Sequence, residues 1–146
     1  MATESPLIHD GGNSILGFDA RNSTFTGTTL QGPSGSGQYL AVYMGTTART
    51  VGLAITSTYR AYGILQNKGS TGQVADVGIF GITKAVCSTS ASLTPGIMVM
   101  CSTAGAMIAY SSGAGVFPCG ITLTGAAAGE VFTMALYGFG GASIVI

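Results

Sequence analysis

Gly63-Ile64, Gly72 and Gly81 recur 57 residues later as Gly120-Ile121, Gly129 and Gly138, and this spacing constrains the chain more than any other feature. Around the glycines the agreement extends to Tyr62-Gly63-Ile64-Leu65 over Cys119-Gly120-Ile121-Thr122, and to Thr71-Gly72-Gln73-Val74 over Ala128-Gly129-Glu130-Val131. Val77 falls on Met134 and Ile79-Phe80-Gly81 on Leu136-Tyr137-Gly138. Upstream, Leu40-Ala41-Val42-Tyr43 falls on Ile97-Met98-Val99-Met100, and Thr46 on Thr103. A glycine repeated at one register marks a repeated backbone demand, and the expected one is a turn or bulge at positive φ. The pattern predicts a duplicated β unit, over about 40–82 and 97–139, and a structural part before an enzyme.

Short runs rich in Val, Ile, Thr, Tyr and Phe, separated by Gly and Ser, support strands. The expected set is 38–44, 50–55, 62–65, 74–80 and 82–87, then 97–101, 106–110, 116–123 and 131–137. In the last run Phe132, Met134 and Leu136 share one face, and Val131, Thr133, Ala135 and Tyr137 the other. Both faces are largely apolar, so both are expected to be covered, the outer one by another subunit. Ala126-Ala127-Ala128 has helical propensity, but it lies between Gly125 and Gly129 and aligns with Gly69-Ser70-Thr71, so it reads as a turn. The fold class is therefore all-β, a small closed or oligomerised body over 38–146 that leaves few bare strand edges.

Residues 1–37 differ in kind. They are rich in Gly, Ser, Thr and Asn and end in Gln31-Gly32-Pro33-Ser34-Gly35-Ser36-Gly37. Their apolar content does not offset an ordering entropy of about 1–2 kcal/mol per residue. This stretch is expected to be an extended amino-terminal arm and linker. Either it is an exposed tail, or it gains order on a neighbour's sheet edge through Pro6, Leu7, Ile8, Ile15, Leu16 and Phe18.

Only five basic and five acidic residues occur in 146, with a mean hydropathy of +0.52. Soluble chains carry about 25% charged residues, so 7% leaves some faces unsolvated and calls for burial against other subunits. The charge-free stretch between Lys84 and Glu130 is cut by Pro95-Gly96, Ser111 to Gly113 and Pro118, so it holds no spanning helix and no membrane partner is expected. Met1 to Leu16 lacks the basic and apolar regions of a signal peptide. Cys87, Cys101 and Cys119 are an odd, widely spaced set that reads as free buried thiols made in a reducing cytoplasm. The basic residues are scattered and the net charge is zero, so nucleic acid is not an expected partner.

Catalytic candidates are sparse. His9 is the sole histidine and sits in the arm beside Asp10, far in sequence from any rigid support. Asp76 and Glu130 read as surface carboxylates within reach of Lys68, Lys84 or Arg60. The cysteines lack zinc-ligand spacing, and Gly32-Pro33-Ser34-Gly35-Ser36-Gly37 lacks the Lys and following helix of a phosphate loop. No catalytic residue, metal or cofactor is expected. Tyr39, Tyr43, Tyr59, Tyr62, Tyr110 and Tyr137 supply the one alternative surface, a sugar-binding platform, although strand tyrosines usually pack half-buried.

Residues 61–141 resemble the small capsid decoration, or cement, proteins of tailed bacteriophages. The resemblance is carried by Tyr62-Gly63-Ile64 leading to Gly72-Gln73-Val74-Ala75-Asp76-Val77 and by the Ser92-Leu93-Thr94-Pro95-Gly96 turn. It closes on Gly120-Ile121-Thr122-Leu123-Thr124-Gly125-Ala126-Ala127-Ala128-Gly129-Glu130-Val131. It implies a β-barrel or β-tulip body that forms homotrimers on the outer surface of the virion capsid, with its arm strapped onto the major capsid protein. The implied function is non-enzymatic stabilisation of the head. The alternatives are a receptor- or glycan-binding head protein and a self-assembling shell or fibre subunit. Two departures stand out, the length of the arm and the poverty of surface charge.

Overall fold

Alternation of apolar residues with small or polar ones, broken by glycine, makes strands here. The computed structural model describes residues 14–19, 37–44, 51–54, 56, 58, 60–67, 74–113 and 115–137. Among them are nine strands: β1 (Ser14–Asp19), β2 (Ala41–Met44), β3 (Val51–Leu53), β4 (Gly63–Leu65), β5 (Val74–Val86), β6 (Met98–Cys101), β7 (Met107–Ala109), β8 (Pro118–Thr122) and β9 (Val131–Leu136). One short 3₁₀ turn, Thr103–Gly105, joins β6 to β7. The two runs expected at 74–80 and 82–87 are one continuous strand, β5.

The strands form one antiparallel sheet in the order β3-β2-β4-β5-β9-β8-β6-β7, with β1 added to β5. This order reads the same from both ends: β2, β3, β4 and the first half of β5 correspond to β6, β7, β8 and β9. The pairing repeats to the residue. Ala41 faces Ile64 as Met98 faces Ile121, Val42 faces Gly63 as Val99 faces Gly120, and Ile64 faces Gly78 as Ile121 faces Ala135. The duplicated unit is thus a duplicated ladder.

β1 completes the correspondence. Ile15 to Asp19 pair with Gly78 to Val74 in the register by which Ile82 to Val86, the second half of β5, pair with Ala135 to Val131. Each unit therefore has five strands, and its leading strand closes onto its last. Ile15, Leu16 and Phe18, expected in an arm that reaches a neighbour, have their backbone in the sheet of their own chain. Pro6, Leu7 and Ile8 lie outside the described residues.

The second unit curls toward closure. Cys87, just beyond β5, forms a parallel bridge with Met107 of β7, and Ser88 N–H donates to Met107 O at 2.8 Å. The body is all-β and barrel-like. Two buried clusters fill it. One gathers Leu40, Val42, Val51, Leu53, Leu65, Ala75, Val77 and Ile79 of the first unit with Val86. The other combines Val99, Cys101, Met107, Phe132, Met134 and Leu136 of the second unit with Ala41, Ala54 and Ile64 of the first.

The repeated glycines differ in what they do. Gly63 and Gly120 were expected at turns, yet both lie inside strands, in β4 and β8. A Cβ on Gly63 would stand 2.5 Å from Val77 Cγ1 and from Gly78 O, and one on Gly120 would stand 2.5 Å from Met134 Cε and closer still to Ala135 O. Their shared demand is close approach of the neighbouring strand. Gly81 and Gly129 do take positive φ, +96° and +78°. Gly72 and Gly138 lie outside the described residues.

Candidate functional site

Strand alternation divides the second unit into an inner face that fills the core and an outer face of unusual composition. On β9, Phe132, Met134 and Leu136 point inward and are buried, whereas Val131 and Tyr137 on the other side are exposed. Cross-strand register extends the outer face over four strands. Ile82, Ala135, Ile121 and Met98 form one transverse row, flanked on one side by Phe80 and Tyr137 and on the other by Lys84, Thr133 and Leu123. Phe80 and Ile82 are 58% and 59% exposed, Met98 43% and Leu123 44%, values that leave large apolar groups in water. The expectation that both faces of β9 are covered holds within the chain for the inner face alone.

Charge is almost absent from this face. Its one cation, Lys84, places Nζ 5.8 Å from the centre of the Tyr39 ring, and so leans toward the first unit. Arg60 behaves alike, with its guanidinium 4.4 Å from the centre of the Phe117 ring. Glu130 accepts a hydrogen bond from Ala127 N–H at 2.9 Å and fastens the turn before β9. These charges serve loops and packing, and the structure does not bring Asp76, Glu130, Lys84 and Arg60 into one cluster. His9, Asp10 and Lys68 lie outside the described residues.

The cysteines are free and buried. Burial pushes the Cys119 thiol up to about 11 and raises Cys101 further in the same direction. Desolvation also raises Cys87, against a partly offsetting hydrogen bond from the Gly129 backbone. Such thiols are poor nucleophiles and poor metal ligands. Among the described residues no group of three or more His, Cys, Asp or Glu side chains could hold a metal ion, and no helix is long and apolar enough to cross a membrane.

The tyrosines scatter. Tyr39 and Tyr62 pack against the first core cluster, and burial raises the Tyr62 hydroxyl. Tyr110 N–H donates to Met98 O at the rim of the outer row, and Tyr137 N–H donates to Cys119 O at 3.1 Å just beyond β9. Tyr59 lies outside the described residues. What sequence reasoning missed is the outer row itself, because its members stand on four strands and meet only through register.

The segments that carried the resemblance do meet in space. Leu93 and Ala126 exchange two backbone hydrogen bonds, 2.9 and 3.0 Å, tying the Leu-Thr-Pro-Gly turn to the Ala/Gly loop.

No family model matches the chain, and no curated protein does. Among solved structures it is similar to the head fibre gp8.5 N base of bacteriophage phi29, with a TM-score of 0.58 and 9% sequence identity. The match covers 85% of this chain and 93% of that one. At this identity the likeness defines a shared fold.

Proposed function

We propose that the chain is a non-enzymatic structural protein of a phage head, a cement protein carried on the outer surface of the capsid. The observation that carries this reading is the shared fold with a head fibre base over most of both chains. An exposed apolar face on a weakly charged body supports it, because such a surface is suited to permanent assembly. Arg60 and Lys84 lie over aromatic rings and Glu130 fastens a turn, which suits a structural role.

The partner is the major capsid protein, contacted by the residues that precede β1, with Pro6, Leu7 and Ile8 as apolar anchors. Binding to the assembled shell alone stabilises it by mass action, about 2.7 kcal/mol per site at a hundredfold excess over Kd. Apolar contact is little screened by salt. The test is addition of purified protein to heads assembled without it, followed by sedimentation in 0.1 and 0.5 M NaCl. Saturable binding at both salt concentrations, with a higher temperature of head rupture, is expected. Absence of binding, or release by 0.5 M NaCl, overturns the proposal.

A further inference from the structure

The two units diverge after their last equivalent glycine. Gly81 leads β5 from the first unit into the second, where Ile82 to Val86 pair with β9. At the repeat spacing Gly138 is followed by Phe139, Ala142 and Ile144-Val145-Ile146 in the places of Ile82, Ala85 and Cys87-Ser88-Thr89. This register, together with the β-branched residues, marks 142–146 as a strand former. Both edges of β9 are already paired, with β5 and β8, so the segment cannot extend the ladder there. Residues 138–146 lie outside the described residues. The described chain stops at Tyr137, on the flank of the apolar outer row of the second unit.

We infer that residues 139–146 lie across this row in the free protein and cover the outer face of their own chain. Place, reach and chemistry agree. Gly138, Gly140 and Gly141 permit the reversal that a return over the face requires. Extended at ~3.3 Å per residue, Ala142 to Ile146 span about 16 Å, and a row on four strands spans roughly 14 Å at about 4.8 Å per step. In an extended chain Ile144 and Ile146 share one side, so both turn toward the sheet together. The segment carries no charge, and the face carries only Lys84, whose Nζ leans toward Tyr39. Residues 1–13 leave β1 at the same corner, because Ser14 faces Phe80. Yet they hold Glu4, His9 and Asp10, and His9 to Asn13 separate their apolar run from the strand. The exposed Phe80, Ile82, Met98, Leu123 and Tyr137 leave on the order of 500 Å² of apolar surface, an aggregation hazard for a dissolved copy. A face suited to assembly needs such a cover while the chain is free.

Head attachment, assigned above to residues before β1, does not depend on this cover, and the test uses the purified chain alone. Nuclear Overhauser contacts are measured between the methyl groups of Ile144, Val145 and Ile146 and those of Ile82, Met98 and Ile121. The natural chain is compared with a mixture of labelled and unlabelled copies, which separates contacts within a chain from contacts between chains. Contacts within one chain are expected. Ile144→Asp is expected to abolish them and to move the Met98 methyl resonance to the position of a water-exposed methionine, with unchanged far-ultraviolet circular dichroism. Tail methyls that make no contact with the row overturn the inference. Contacts from Leu7 or Ile8 in their place overturn it and assign the face to the amino-terminal residues. Contacts seen only between differently labelled copies overturn it and assign the face to a second chain.

Discussion

Thr122 Oγ1 donates a 2.6 Å hydrogen bond to Thr94 O and accepts one from Ile97 N–H at 3.0 Å, so one buried hydroxyl pins the turn before β6 to the end of β8. Thr122 is 1% exposed, and its position corresponds to Leu65 in the first unit. Replacement by Val keeps the shape and strands both backbone groups. Thr122→Val is expected to lower unfolding stability by about 1–3 kcal/mol, read as a fall of several degrees in Tm. An unchanged Tm would show that water replaces the hydroxyl there.

Gly63 and Gly120 make the most specific demand of the repeat. In either position a Cβ meets the backbone of the facing strand, which cannot swing aside as a side-chain tip can. Gly63→Ala and Gly120→Ala are each expected to cost about 1–3 kcal/mol or more, the range of overpacked cores. Gly113→Ala, whose new atom would find its nearest neighbour, Val116 Cγ2, at 3.4 Å, is expected to be close to neutral. Denaturant midpoints of the three variants decide the point.

Much of the ladder was legible in the sequence because strand residues and glycine breaks keep a fixed spacing, and all nine expected runs sit over β2 to β9, two of them on β5. β1 was not legible. Ile15 and Ile82 are 67 residues apart, ten more than the repeat spacing, so a search at constant offset passes over the leading strand of the first unit. The glycine register announced a backbone constraint at Gly63 and Gly120, but close approach and positive φ leave the same mark in a sequence. The apolar outer side of β9 was visible, whereas its union with Ile121, Met98 and Ile82 depends on cross-strand register that no linear pattern carries.

β1 gives a truncation test. Deletion of residues 2–12 leaves the strand in place, and deletion of residues 2–19 strips it from β5 and bares that strand's edge. The longer deletion is expected to have the lower Tm of the two and a greater tendency to aggregate. Equal Tm values would mean that β1 adds nothing to the stability of the sheet.

The buried thiols set a pH dependence. In the unfolded chain Cys119 ionises near 9, and in the folded protein near 11. Below pH 9 both states hold the proton and this group makes stability independent of pH. Between pH 9 and 11 the unfolded chain loses protons first, so stability falls with rising pH by about 1.4 kcal/mol per unit for such a thiol. Cys101 acts with the same sign. Urea midpoints from pH 7 to 10.5 are expected to fall above pH 9, and Cys119→Ala to fall less steeply.

The most direct measurement is electron microscopy of the assembled virus particle with this chain present. Density for the β body is expected on the outer surface of the head, where capsid subunits meet. Density confined to the tail or the head interior would contradict that placement.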